Sequence, residues 1–321
     1  MSDDLRKIEV GEKILGFFVV RKIEQRVKEG QHYLSLEVGN SSGRINGTYW
    51  GDDAQELYKV LSQGSVVKIM GEGMEYGGKS WLSIQKIRLA EPNEIEIEQL
   101  LPKGRYSSDV LWKQVEKYIN LLEDEWLKKL ATSIFYDSEF RDKFLTYPAA
   151  KLWHGAYLGG LAEHTLRVTA VCKRVSEFYS PCRHDLLICG ALLHDIGKVD
   201  ELSIAGFFDY SVKGRLLGHT VLGVMRVVES ASRIDGFPDE LLDEVVHMIL
   251  SHHGDAERGA AIRPMTIEAI ILHHADLLDS QAAGVEHIIE KELPKGKQFS
   301  KYISLLNRFI YLDGYRNDTN E

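Results

Sequence analysis

The chain has 321 residues, 44% of them hydrophobic and 27% charged, with a formal net charge of −9. That length allows two domains or one large one, each able to bury a substantial core. The acidic balance argues against a protein coated in nucleic-acid-binding surface, and no apolar run is long enough to span a bilayer. The opening Met1-Ser2-Asp3-Asp4-Leu5 is acidic and polar, unlike a secretory signal. Cys172, Cys182 and Cys189 are odd in number and lack C-x-x-C spacing, so they read as reduced packing thiols in a cytoplasmic protein without a membrane partner. The charge is uneven: residues 1–92 carry 13 basic and 13 acidic side chains, and the whole −9 lies downstream.

Residues 10–90 read as β structure. Ile14 to Ile23 is a long apolar stretch, and Tyr33 to Val38 alternates with Leu34, Leu36 and Val38 on one face. Turn residues Asn40 to Gly43 lead into Arg44 to Trp50, and Asp52-Asp53 can cap a short helix through Leu61. Val66 to Met74 and Lys79 to Leu89 then form a hairpin across Tyr76-Gly77-Gly78. Strand, strand, strand, helix, strand, strand is the order of an OB-fold barrel. Such barrels hold single strands by stacking bases on aromatics beside cations, which makes Tyr33, Trp50, Trp81, Arg21 and Lys22 candidates here, although Trp50 and Trp81 could equally be rim packing.

From Ser107 onward the pattern is helical, with helices expected over Val110–Thr132, Asp137–Leu145, from Gly155–Gly160 to about Tyr179, Asp185–Leu193, Leu217–Val228, Asp239–His252 and Pro264 to about Glu290. The expected architecture is a multidomain chain: an all-β OB-fold barrel (1–92), a linker (93–106), an all-α domain (107–313) and a polar tail (314–321).

The helical part carries residues that are costly to bury alone. His194-Asp195 ends an apolar run and is followed by Ile196-Gly197-Lys198. His164 lies on a buried stripe between Leu161 and Val168, and His219 opens a helix after Gly218. His252-His253 ends another before Gly254, and Asp276 sits inside an apolar helix. Each has a bland reading as a satisfied core or capping residue, but one shared cause, metal binding, explains them all. One divalent ion could take His164, His194, Asp195 and Asp276. A second could take His219, His252 and His253, with Asp195 as a bridge. The absence of thiolates disfavours a structural Cys-type zinc site, and mixed nitrogen and oxygen ligation suits Mn, Fe, Co, Ni or Zn, one or two ions per chain. Two metals about 3.5–4 Å apart suit phosphoester hydrolysis, with Asp195 central and Lys198 free to act on a phosphate oxygen as a point charge. Tyr210, between the His-Asp pair and His219, could stack on a terminal base or support its loop.

The order His164, His194-Asp195, His219, His252-His253, Asp276 resembles the HD-domain metal-dependent phosphohydrolase superfamily in its six-histidine, dinuclear form. The phrases Gly159-Gly160-Leu161-Ala162-Glu163-His164-Thr165, Leu193-His194-Asp195-Ile196-Gly197-Lys198, Leu250-Ser251-His252-His253-Gly254 and His274-Ala275-Asp276-Leu277-Leu278-Asp279 look like the YhaM family of bacterial 3'-5' exoribonucleases. That resemblance spans nearly the whole chain, since the family also places an OB-fold before its HD domain. It implies a hydrolase supported by manganese or a similar divalent ion, releasing nucleoside monophosphates from single-stranded RNA or DNA, with the ligands on the residues just named. Two other functions compete. A phosphodiesterase for small nucleotides would have little need of the barrel, and Gly254-Asp255-Ala256 lacks the Gly-Tyr-Pro of the cyclic-dinucleotide branch. A nucleic-acid-binding regulator with a non-catalytic HD scaffold would be signalled by a lost ligand, and none is missing. The sequence leaves subunit number open, a homo-oligomer included.

Overall fold

The structure, a computed structural model, describes Leu5, residues 8–204 and residues 206–316. The polar tail expected from Gly314 therefore lies, from Asn317 on, outside the described residues. The chain divides into two units: residues up to Lys103 with Ile204–Asp209, and Gly104–Ser203 with the chain from Tyr210.

The first unit is a closed five-stranded barrel followed by residues that pack on it. Its strands are β1 (Lys13–Lys28), β2 (Gln31–Asn40), β3 (Gly43–Tyr49), β4 (Val66–Tyr76) and β5 (Lys79–Leu89), with helix α1 (Ala54–Val60) between β3 and β4. The order around the barrel is β1-β2-β3-β5-β4. β3 and β5 run parallel and every other pair is antiparallel, as the sequence order predicts for an OB-type barrel. The period-two alternation decides the faces: Leu34, Leu36 and Val38 are buried inside with Ile14, Phe18, Ile69 and Leu82, leaving Tyr33, Ser35 and Glu37 outside. β1 pairs with β4 through Val19 and with β2 from Val19 onward. The register shift between Val20 and Lys22 gives the strand the bend it needs to serve both neighbours. The segment 93–106, read as a linker, contains a short 3-10 turn, Ile97–Leu100, with Leu100 and Leu101 buried. Phe207, in the same unit, packs with Leu100 and Val19.

The second unit is helical: α2 (Ser108–Leu121), α3 (Glu125–Phe135), α4 (Ser138–Thr146), α5 (Gly160–Ser176), α6 (His184–Leu193), α7 (Lys198–Glu201), α8 (Val212–Ser232), α9 (Asp239–Ser251) and α10 (Ile267–Glu292). The short strands β6 (Leu202–Ile204) and β7 (Phe208–Tyr210) pair between α7 and α8. α6 is apolar all round and every residue from Leu186 to Leu193 is buried, which makes it the central helix of the unit. It packs against α3, α5, α9 and α10. Burying each of its leucines is worth about 1.5–3 kcal/mol, and this packing fixes the His194-Asp195 pair at its end. No described helix is long and apolar enough to cross a membrane.

Two helical expectations need correction, and one hairpin is new. The single helix over Val110–Thr132 is two. Asp185 of α6 accepts the backbone N–H of Glu123 and of Asp124, each at 2.6 Å, while Asp124 caps α3 by accepting from Trp126 and Leu127. These long-range and local bonds turn the chain where periodicity alone runs on. The helix expected from Leu217 begins at Val212 and is broken at Gly218, whose φ of 73° and ψ of 157° are non-helical. The β6–β7 hairpin was not read, its strands being three residues each. We expect Asp124→Ala to lower stability by about 1 kcal/mol, measurable as a shifted urea midpoint at unchanged slope.

Candidate metal centre

Five elements deliver the polar cluster of the helical unit. His164 comes from α5, His194 and Asp195 from the end of α6, and His219 from the turn of α8 just past its break. His252 and His253 come from the end of α9, and Asp276 from the middle of α10. The break at Gly218 gives His219 a fresh helical start. Gly197 brings the His-Asp turn against α8, since a Cβ there would lie 2.0 Å from the His219 carbonyl oxygen. His164, His194, Asp195 and His252 are essentially inaccessible to solvent.

The candidate ligand atoms fall into two groups, His164, His194 and Asp276 in one and His219, His252 and His253 in the other, each within 4.8 Å of its fellows. Asp195 stands between them. Its Oδ2 lies 3.3 Å from His164 Nε2 and 3.4 Å from His194 Nε2. Its Oδ1 lies 3.5 Å from His219 Nε2 and 3.8 Å from His252 Nε2. The structure thus brings together all seven residues that the sequence singled out.

In His164, His194, His219 and His252 the outer ring nitrogen is occupied in a way that frees the inner one. His194 Nδ1 lies 2.8 Å from the Ala191 carbonyl and His252 Nδ1 2.7 Å from that of Ile249. Carbonyls only accept, so Nδ1 carries the proton and Nε2 presents its lone pair inward. His164 Nδ1 is held by Asp279 at 2.7 Å and His219 Nδ1 by Glu201 at 3.1 Å. Histidine ligands of metals carry this support as a rule. Asp195 Oδ1 and His252 Nε2 are buried with no hydrogen-bond partner, and His164 and His194 bring their Nε2 atoms to 3.3 Å. Converging lone pairs and an orphaned carboxylate oxygen fit divalent cations.

Charge points the same way. Burial alone would lower the pKa of His164, but hydrogen bonds to Asp195, Asp276 and Asp279 hold it well above the usual value. These carboxylates demand a positive charge at their centre. Burial works to raise the pKa of Asp195, yet Lys198 and then His194 hold it well below the carboxylate range. Asp276 is likewise held low against burial, first by His164. His252 is kept neutral by burial, then by His253 and His194. Burial also raises all three thiols, Cys182 to about 11, so they stay protonated and lie outside the donor set.

With this geometry in hand, the relatives are informative. The HD domain family matches residues 161–281. Over 313 residues, 97% of this chain and 95% of the relative, the chain is 30% identical to a 3'-5' exoribonuclease YhaM of Geobacillus sp. (strain WCH70). The chain belongs to the YhaM family. A solved chain from a replication protein A heterotrimer bound to ssDNA is 20% identical, covers 27% of this chain and 64% of its own length, and has a TM-score of 0.21. A likeness that slight carries no argument.

This YhaM-family chain places the other candidates as follows. Lys198 is 11% exposed and donates to Asp195 Oδ2 at 2.6 Å, so it is held at the centre rather than standing free. On the barrel, Tyr33 and Trp50 stack at 4.1 Å with ring planes 17° apart, and Trp81 meets Tyr76 at 5.6 Å. Tyr33, Tyr76 and Trp81 lie on the outer face of their strands, while Trp50 follows β3 directly and is 39% exposed. Lys22 is exposed and paired with Glu24. Arg21 is half-buried, lies 5.8 Å from the Phe207 ring centroid, and has its pKa lowered by burial and then by Arg44. Tyr210 is 41% exposed, with Lys151 Nζ and Arg215 Cζ at 5.9 and 5.5 Å from its ring centre.

Sequence reasoning missed Asp279 and Glu201 as supports. The i,i+3 spacing of Asp276 and Asp279, like that of Lys198 and Glu201, puts each pair on one helical face, which was the available signal. His273 has Nδ1 2.8 Å from the His252 carbonyl, and His274 is exposed.

We expect Asp279→Asn to weaken divalent-metal binding by about 10–100-fold, as measured by calorimetric titration. A pH effect follows as well. In metal-free protein His253 is pushed down to about 4, by burial and then by His219, from the 6.5 of a free imidazole. The unfolded chain binds more protons between those values, so this contribution to stability is present above pH 6.5 and is lost as pH falls through 4. His253→Gln should therefore lose less melting temperature than the wild type between about pH 7 and 4.5 in chelator.

Proposed function

We propose that this protein is a metal-dependent 3'-5' exonuclease that degrades single-stranded RNA to nucleoside monophosphates, with its catalytic centre at the paired histidine clusters around Asp195. The observation that carries this reading is the shared carboxylate: one buried Asp195 with its two oxygens turned toward two separate sets of inward-facing imidazoles.

In this reading His164, His194 and Asp276 hold one divalent ion and His219, His252 and His253 the other, with Asp195 contributing to both. Two such cations supply Lewis acidity to the phosphate and lower the pKa of water at neutral pH. The chain's own residues do the rest. Asp279 and Glu201 fix the rings of His164 and His219, so that little reorganisation remains when substrate arrives. Lys198 uses one of its three donor protons on Asp195 and has two left for a phosphate oxygen. Burial pulls its pKa down while Asp195 pulls it up, and the net shift is upward, so it stays charged. Manganese suits the mixed imidazole and carboxylate donors, and iron, cobalt, nickel or zinc would also fit them.

The barrel supplies the grip on the strand. Stacked Tyr33 and Trp50, with Trp81 and Tyr76 on neighbouring strands, make an aromatic surface that any base can use. Stacking of this kind does not read the 2'-hydroxyl, so single-stranded DNA is a second substrate. Three free, buried thiols suit a reducing, cytosolic setting.

Purified protein with manganese should shorten a 5'-labelled single strand stepwise and release mononucleotides. Asp195→Ala should lower that rate by about a thousandfold or more. Undiminished nuclease activity in the variant would put the chemistry elsewhere. Hydrolysis of small cyclic nucleotides with an intact strand would instead make the protein a small-nucleotide phosphodiesterase.

A further inference from the structure

The loop from Tyr147 to Gly159, between α4 and α5, holds a buried polar group that the mechanism does not use. Both ring nitrogens of His154 are buried and neither has a hydrogen-bond partner. A buried donor or acceptor left unmade costs about 1–3 kcal/mol and calls for a cause. The ring lies 5.1 Å from that of His164, centroid to centroid, so it borders the candidate metal centre, although it belongs to neither ligand group. Its position is built rather than accidental. Trp153 donates from Nε1 to the Ser280 carbonyl at 3.2 Å, and its ring fills the space a Cβ would take on Gly284. Ala149 donates to the Gly155 carbonyl at 2.9 Å, closing the loop across Gly155 at a φ of +67°. An imidazole carries at least one N–H whichever way it is protonated, so the ring has a proton to donate.

The same loop carries Lys151, which meets Arg215 of α8 around the Tyr210 ring. Tyr210 adjoins the centre through its neighbour. Ser211 donates from its N–H to the Glu201 carbonyl at 2.8 Å and from Oγ to the Asp200 carbonyl at 2.7 Å, and Glu201 holds His219. Two cations thus gather around one aromatic ring, with Lys213 close by in the chain, on a unit whose overall charge is negative. An anion with more than one charge along its length suits that placement.

We propose that this loop is the strand-end wall of the active site: His154 donates to a non-bridging oxygen of the scissile phosphate, and Lys151 and Arg215, positioned by Tyr210, take the phosphate of the next linkage. The proposal rests on the nuclease reading above for the identity of the anion.

The test uses the full-length protein in two measurements. In chelator, where no cleavage occurs, binding of a fluorescent single strand is followed by anisotropy across a salt series. Losing the one phosphate that both cations hold, in Lys151→Gln/Arg215→Gln, should reduce the slope of log affinity against log salt by about 0.7. With manganese, His154→Ala should lower kcat/KM on the strand about a hundredfold with metal content unchanged, and His154→Gln, which restores an N–H donor, should recover part of it. A wild-type salt slope in the double variant, a wild-type kcat/KM in His154→Ala, or a loss that tracks missing metal overturns the proposal. If His154→Ala melts too early to assay, the double variant decides alone. If the wild type releases no mononucleotide, the nuclease reading fails, while the chelator experiment still reports on the wall.

Discussion

The helical unit is arranged around one buried carboxylate. Asp195 has no solvent to share its charge, and a lone ion in that position would cost several kcal/mol. Its two oxygens face different sets of imidazoles, Lys198 donates to one of them, and the other has no hydrogen-bond partner at all. Much of the local architecture follows from that constraint. α6 is apolar on every side so that its end is fixed from every side. Gly197 lets the turn after Asp195 touch α8, and the break at Gly218 aims His219 back at the carboxylate.

Support of the imidazoles extends one layer outward and does two things at once. Carbonyls of Ala191 and Ile249 and carboxylates of Asp279 and Glu201 take the Nδ1 protons, which fixes ring orientation and turns lone pairs inward. The same bonds satisfy groups that would otherwise be stranded in a dry interior. Burial keeps His252 and His253 from charging near neutrality, while the carboxylates around His164 favour a positive charge at their centre.

The two units differ in chemistry. Residues 1–92, which hold the barrel, are electrically neutral and offer stacked aromatics, the surface that the proposed function would use to grip a strand without reading its sequence. The helical unit carries the net negative charge, so an anionic strand end needs local cations there. In the proposed function, Lys198, the cations around Tyr210 and divalent ions held at the centre would meet it.

Much of this was legible in the chain itself. Alternation at Leu34, Leu36 and Val38, the Gly77-Gly78 turn and the element order determined the barrel, because a period of two leaves only one face to bury. The seven candidate ligands could be named from the cost of burying each one without a partner. What tertiary structure alone decided lies in pairings between distant residues. The break after Leu122 depends on Asp185, more than sixty positions away. Asp279 became a support only when α10 met α5, and His154 gained meaning only when its loop folded onto His164. Periodicity records which side of an element is buried, since that is a local property of spacing. It cannot record which charged group from elsewhere fills the space beside it, and that partner sets both the protonation state and the chemistry.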